Sequence, residues 1–322
     1  LNPRIAKILK TIVPLLLGFG LIAYSYLSTS EEDRQQIVYY ISEAPLLWVF
    51  FSVLIGIASH ISRAIRWNYL LEPLGYQPKI ESNILIILMA YLANLGIPRS
   101  GEVLRATALA SYEKVPFEKG FGTIVTERLI DLIMLFLVIG IALLLQTSVI
   151  LDYLSEQGFG LLAGLGLLVG GIVSLWVGIR LLKTSQSKLA IRLRHFLDGL
   201  MSGITSVFKM KKKGAFMAHT IFIWAAYIAM FWVIKYTVPE TVDLSFTELL
   251  VAFVAGAFAM TATNGGIGLY PIAVSGALSL YGIDPVSGNA FGWIMWIAQT
   301  LMVVVFGAIS FLLLPLFHRT RN

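Results

Sequence analysis

Arg99, Glu102 and Arg105 lie close together in NLGIPRSGEVLR, residues 94–105, with apolar sequence on both sides. Two guanidinium groups around a carboxylate can do one of two things. Their planar forks can grip a phosphate in a bidentate way, or the three charges can satisfy one another. Gly96 and Pro98 end one helix, and Ser100 is placed to cap the next, which starts near Gly101. Glu102 then falls in a first turn, where the helix dipole favours an anion, with Arg105 on the same face. A helix N-terminus flanked by Arg99 and Arg105 is a receptor for a phosphate-bearing head group. The alternative is that Glu102 and Arg105 pair with each other or with the following helix.

Three further clusters carry chemistry. In TERLID, Glu127 and Asp131 share a helical face and Arg128 lies to one side, within an apolar run. Ionisable residues at that depth should face the protein interior or a wet cavity. They could join Glu102 and Arg105 in a charged cavity floor, take part in proton-coupled movement, or only clamp two helices together. In HISRAIRW, His60, Arg63 and Arg66 recur near one face. They are either snorkelling anchors beside an interfacial Trp67 or phosphate contacts. TNGGIGLYP is uncharged. Asn264, Gly265, Gly266 and Gly268 permit tight turning, and their backbone amides could hold a polar head group or allow close packing. Downstream, Trp293 and Trp296 either line a groove for lipid tails or pack.

The elements that position these groups are membrane helices. Of 322 residues, 57% are hydrophobic and 13% charged, and the mean hydropathy is +0.81, far from the one quarter charged that is typical of soluble domains. The apolar runs are helical in length, not the short alternating strands of an outer-membrane barrel. There is no cysteine and only four histidines. Disulfides and thiolate metal sites are thereby excluded, and no cofactor is expected. The +6 net charge is spread in a membrane-topology pattern, so no nucleic-acid partner is expected.

The expected fold class is an all-α integral membrane protein forming one polytopic domain over 1–322. Six full spans are predicted at about 10–27, 45–67, 119–146, 158–182, 215–237 and 287–315. The first is read as a retained span rather than a signal peptide. Two apolar regions, 82–112 and 246–282, are broken at NLGIPRSG and TNGGIG. Arg4, Lys7 and Lys10 place the N-terminus in the cytoplasm, and His318, Arg319 and Arg321 place the C-terminus there too. The acidic stretches 31–43 and 240–248 fall outside, and the basic stretch 179–214 inside. This alternation holds only if each broken region enters and leaves on one side. Two re-entrant helical hairpins, the first from the cytoplasm and the second from outside, fit this parity. So would two complete spans per region, but the helix-ending residues at the breaks and the short arms favour half-depth hairpins.

Opposed hairpins are the mark of an inverted repeat, here of about 1–146 and 158–322. KVPFEKG at 114–120 falls on GIDPVSG at 282–288 after a shift of 168. Residues 186–208 read as an amphipathic helix on the cytoplasmic surface, followed by the lysine cluster 209–213 as an anchor on anionic lipid.

At RAIRW and NLGIPRSGEVLRA…TERLID the sequence resembles the membrane, flippase-type domain of lysylphosphatidylglycerol synthases and their stand-alone relatives. Pro98, Gly101, Glu102 and Arg105, then Glu127, Arg128 and Asp131, carry the resemblance. The second hairpin keeps Gly265, Gly266 and Gly268, but has Leu269, Tyr270 and Pro271 where that family usually places a glutamate soon after. The resemblance implies two inverted hairpins and movement of a polar or anionic phospholipid between leaflets of a bacterial cytoplasmic membrane. It does not imply aminoacylation, and no enzyme activity is expected. Translocation of a polyprenyl-phosphate carrier for glycan assembly is the alternative. A membrane-embedded transferase would need a catalytic set that is not visible. Membrane lipids are the expected partners, and an oligomer is compatible with the sequence.

Overall fold

The computed structural model describes residues 3–147 and 210–319, with 180, 184, 187 and 191. The predicted span 158–182 and surface helix 186–208 lie almost wholly outside these residues. The described chain forms ten α-helices and no strand: α1 Pro3–Ser28, α2 Glu31–Ser42, α3 Leu46–Leu71, α4 Ile80–Gly96, α5 Ser100–Glu113, α6 Phe117–Leu145, α7 Lys213–Ile234, α8 Phe246–Ala262, α9 Leu269–Ser279 and α10 Pro285–Arg319. Among the described residues, four segments are long and apolar enough to cross a membrane: Leu46–Leu74, Phe117–Leu145, Lys213–Thr237 and Pro285–Arg319.

The chain divides into two compact units, residues 1–124 with 212–322, and residues 125–211. The first contains most of the described fold. Along the described chain a long helix, a 17-residue helix, a break, a shorter helix and another long helix occur in that order twice: α3, α4, α5, α6 and α7, α8, α9, α10, with α6 running from the first unit into the second. α6 starts at Phe117 and α10 at Pro285, 168 residues apart.

α2 forms over the acidic stretch that follows the first helix. The Ser30 hydroxyl accepts the Asp33 amide at 3.1 Å, and three acidic residues occupy the first turn, where the helix dipole favours them. α8 starts on a reciprocal cap. The Glu248 amide donates to the Ser245 hydroxyl at 3.4 Å, and the Ser245 amide donates to the Glu248 carboxylate at 2.7 Å. A core of Phe231, Ile234, Val274, Leu278 and Phe291 ties α7, α9 and α10 together, with Phe231 and Phe291 in edge contact at 4.8 Å.

α10 is the ruler for the two hairpins, about 52 Å long at roughly 1.5 Å per residue. Near its C-terminal end, His318 Nε2 lies 3.1 Å from Ser82 at the start of α4 and 3.5 Å from Glu113 at the end of α5. Both ends of the α4–α5 hairpin therefore meet there. The second hairpin, α8–α9, opens at the other end. Tyr281, just after α9, has its phenol pushed up by burial and then by the nearby Glu248 carboxylate in the first turn of α8. Tyr40 of α2 donates to Glu240 at 2.7 Å. Partial burial raises the Glu240 carboxyl, but hydrogen bonds from Tyr40, its own backbone and Ser287 outweigh it, so the group stays below its ordinary value. Ser287 is in the first turn of α10.

Candidate functional site

The first break is built around Arg99. This residue has φ 61° and ψ 14°, a left-handed conformation that side-chain-bearing residues seldom adopt. Its side chain is exposed. Ser100 is not the cap expected from the sequence. It is the first helical residue, and its hydroxyl donates back to the Ala93 carbonyl at 2.9 Å. Asn94 does the capping from the preceding helix: its side-chain carbonyl accepts the Gly101 amide at 2.7 Å. The cap thus comes from across the turn, since the αL residue Arg99 occupies the place a capping side chain would take. A Cβ on Gly101 would collide with the Ala90 carbonyl and the Asn94 amide, so α4 and α5 meet backbone to backbone.

Glu102 is half-buried in the first turn of α5. Arg105 is buried, its guanidinium stacked 3.8 Å above the Trp67 ring. The indole N–H of Trp67 donates to Thr123 Oγ1 at 2.9 Å, and that hydroxyl donates to the Gly120 carbonyl at 2.7 Å. Trp67 is 0% exposed, so the interfacial anchor expected at HISRAIRW does not exist. Arg63 and Arg66 are 2% and 0% exposed and do not snorkel. Arg63 donates to the Tyr227 hydroxyl at 3.0 Å and Arg66 to Thr220 at 3.2 Å, both on α7. His60 is also buried, its ring 4.7 Å from that of Tyr91.

The second break turns on three positive-φ glycines, Gly265, Gly266 and Gly268 (φ 63°, 76° and 72°). Trp296 of α10 fixes the turn by donating its indole N–H to the Gly265 carbonyl at 2.8 Å. Trp296 thus does more than pack, since its indole N–H holds the turn. The buried Asn264 reaches the first break: its amide donates to the Leu95 carbonyl, at the end of α4, at 2.8 Å. Trp296 and Gly307, where Leu92 and the Leu88 carbonyl press on α10, fall on either side of that helix's midpoint. The two tips meet alongside the middle of the long helix. α1 adds a contact that sequence reasoning missed, Gly18 packing against Ile267 and Gly268.

Arg63, Arg66, Arg99, Glu102, Arg105, Asn264, Gly265 and Gly266 all belong to the first unit, where Arg105 packs on Trp67, Asn264 reaches the end of α4, and Arg63 and Arg66 bond to α7. Glu127, Arg128 and Asp131 belong to the second unit. There Glu127 is fully buried, Asp131 half-buried and Arg128 exposed. Among the described residues, no group of three or more His, Asp or Glu is arranged to hold a metal.

The family model of the lysylphosphatidylglycerol synthase TM region matches residues 11–307. The chain belongs to this family. Membership, with the long apolar helices, makes it a multi-pass membrane protein. Two archaeal proteins show more distant similarity to this member of the synthase TM-region family. One is glycosyltransferase AglD of Haloferax volcanii, 27% identical over 143 residues, 44% of this chain and 22% of the relative. The other is UPF0104 membrane protein MJ1595 of Methanocaldococcus jannaschii, 29% identical over 87 residues, 26% of each chain. The matches span about a quarter of each relative's length. No solved structure gives a significant match.

Proposed function

We propose that the chain is a lipid flippase of the cytoplasmic membrane. α4–α5 and α8–α9 are half-depth hairpins that enter from opposite sides, with both chain termini in the cytoplasm. The positive-inside pattern puts the α4–α5 opening on the cytoplasmic side. Non-helical backbone at mid-depth is tolerated only inside protein or beside water, and here each break is held by side chains of the other elements. Arginine at mid-depth must likewise face a wet or protein-lined space. The observation that carries the reading is Arg99: charged, exposed and strained, at the tip of a hairpin that ends beside the middle of α10. A polar or anionic head group passing between leaflets meets Arg99 and the first turn of α5 there, while its acyl chains stay in the bilayer. This avoids the cost of several kcal/mol, to an order of magnitude, of putting a bare charge in hydrocarbon. Arg105, Arg63 and Arg66 position the framework rather than touch the head group, because they are buried against Trp67, Tyr227 and Thr220. No catalytic step belongs to this reading.

A second substrate is favoured by the likeness to a glycosyltransferase: a polyprenyl-phosphate carrier serving glycan assembly. Its phosphate would engage the same tip. Reconstitution into vesicles with a fluorescent phospholipid, or a labelled polyprenyl phosphate, in one leaflet separates the two. The chain is expected to accelerate the exchange of one of them well above protein-free vesicles. If neither moves faster, the flippase reading fails.

A further inference from the structure

Away from the hairpin tips, a cleft of about 580 Å³ opens between the end of α3, the connection 72–79, the start of α4 and Lys212 just before α7. It lies at the end of the fold where Ser82 meets His318. Its charged lining is balanced: Lys79 and Lys212 against Glu72 and Glu81. Gln77 adds an amide, and the apolar Ile65 and Ile80 sit beside these groups. We propose that this cleft receives a zwitterionic head group, one that joins a phosphate to a primary ammonium, before it travels to the hairpin tips. The proposal deepens the flippase reading and rests on it for the onward travel, whereas the binding can be measured by itself.

Three observations support this. First, the cleft is preformed. Asn68 donates to the Pro78 carbonyl at 3.0 Å and accepts from Asn83 at 2.6 Å, which pins the connection to α3 and α4. A site that needs no ordering keeps more of its binding energy. Second, the Lys212–Glu72 pair, 3.1 Å apart, has side chains 57% and 31% exposed. A pair this open is held weakly and can be exchanged. A zwitterion replaces the one internal pair with two: phosphate on Lys212 and Lys79, ammonium on Glu72 and Glu81. A purely anionic head group would bring its phosphate towards two carboxylates without a cation of its own. A quaternary ammonium would offer no N–H to donate. Third, Ile80 lines the cleft beside the charged groups and is 42% exposed. With Ile65 it offers an apolar shelf on which acyl chains can continue while the head group is held.

The test uses the full chain in phosphatidylcholine nanodiscs and short-chain, water-soluble lipids as probes. Dihexanoyl phosphatidylethanolamine is expected to bind more tightly than the phosphatidylglycerol and phosphatidylcholine forms. Glycerophosphoethanolamine, the same head group without tails, should bind more weakly, since it cannot use the shelf. Lys79 and Glu81 are exposed, so Lys79→Gln with Glu81→Gln should fold normally and lose about tenfold or more in affinity, 1.4 kcal/mol per decade. Equal affinity in the double variant, or phosphatidylglycerol binding as tightly as phosphatidylethanolamine, overturns the proposal. If the double variant keeps full affinity while Arg99 variants stop lipid movement, the cleft is wrong and the flippase reading stands. If binding follows the prediction but the chain moves no lipid, the cleft stands as a binding site without the flippase reading.

Discussion

The side-chain amide of Asn264 donates a 2.8 Å hydrogen bond to the carbonyl of Leu95. The donor is in the break of one hairpin, and the acceptor is among the last carbonyls of a helix in the other. Such carbonyls have no partner within their own helix. The break of the second hairpin thus supplies the donor that the end of α4 lacks.

Replacing Asn264 with leucine should therefore destabilise the protein more than a change at an exposed loop would. Leaving a buried carbonyl without its donor costs about 1–3 kcal/mol. Thermal unfolding of Asn264→Leu in detergent should show a clear drop in midpoint. A midpoint equal to wild type would mean that the contact between the tips contributes nothing to the fold.

The close approach of α4 and α5 gives a sharper packing test. A methyl group at residue 101 would strike the Ala90 carbonyl, which is backbone and cannot swing away. Gly101→Ala should cost about 1–3 kcal/mol as overpacking, whereas Gly122→Ala, where a Cβ meets nothing within 4 Å, should be nearly neutral. Similar midpoints for the two variants would remove the argument for backbone contact inside the hairpin.

Much of this was legible from residue order. Pro98 and the glycines 265, 266 and 268 mark the two breaks, and the shift of 168 between KVPFEKG and GIDPVSG recurs in the starts of α6 and α10. Glu248 three residues after Ser245 is a capping-box signature that the hydropathy pattern hid. What could not be read was tertiary. Trp67 looks like an interfacial aromatic because it follows two arginines, but only the fold reveals that Arg105 lies over its face. Asn94 looks like a polar residue at a helix end, and its role depends on α5 folding back to bring Gly101 within reach. The joining of Asn264 to Leu95 spans 169 residues, beyond any local pattern.

The opposed openings can be tested without disturbing the site. The chain has no cysteine, and Leu74 and Asp243 are both exposed, at the two ends of the fold. Single variants Leu74→Cys and Asp243→Cys, treated in intact cells with a membrane-impermeant thiol reagent, should differ. Asp243→Cys is expected to react and Leu74→Cys to be protected until the cells are opened. Equal labelling of both in intact cells would contradict hairpins that enter from opposite sides.

The central claim is that Arg99 is kept in a strained conformation because a head group needs its charge at the hairpin tip. Arg99→Gly tests both halves at once. Glycine adopts the left-handed conformation freely, and relieving it at one residue is worth about 1 kcal/mol or slightly more. The variant should thus unfold at the same temperature as wild type or higher. In vesicles carrying a fluorescent phospholipid in one leaflet, it should nonetheless lose most of the protein-dependent exchange between leaflets. Lipid movement at the wild-type rate by a folded Arg99→Gly protein would contradict the account.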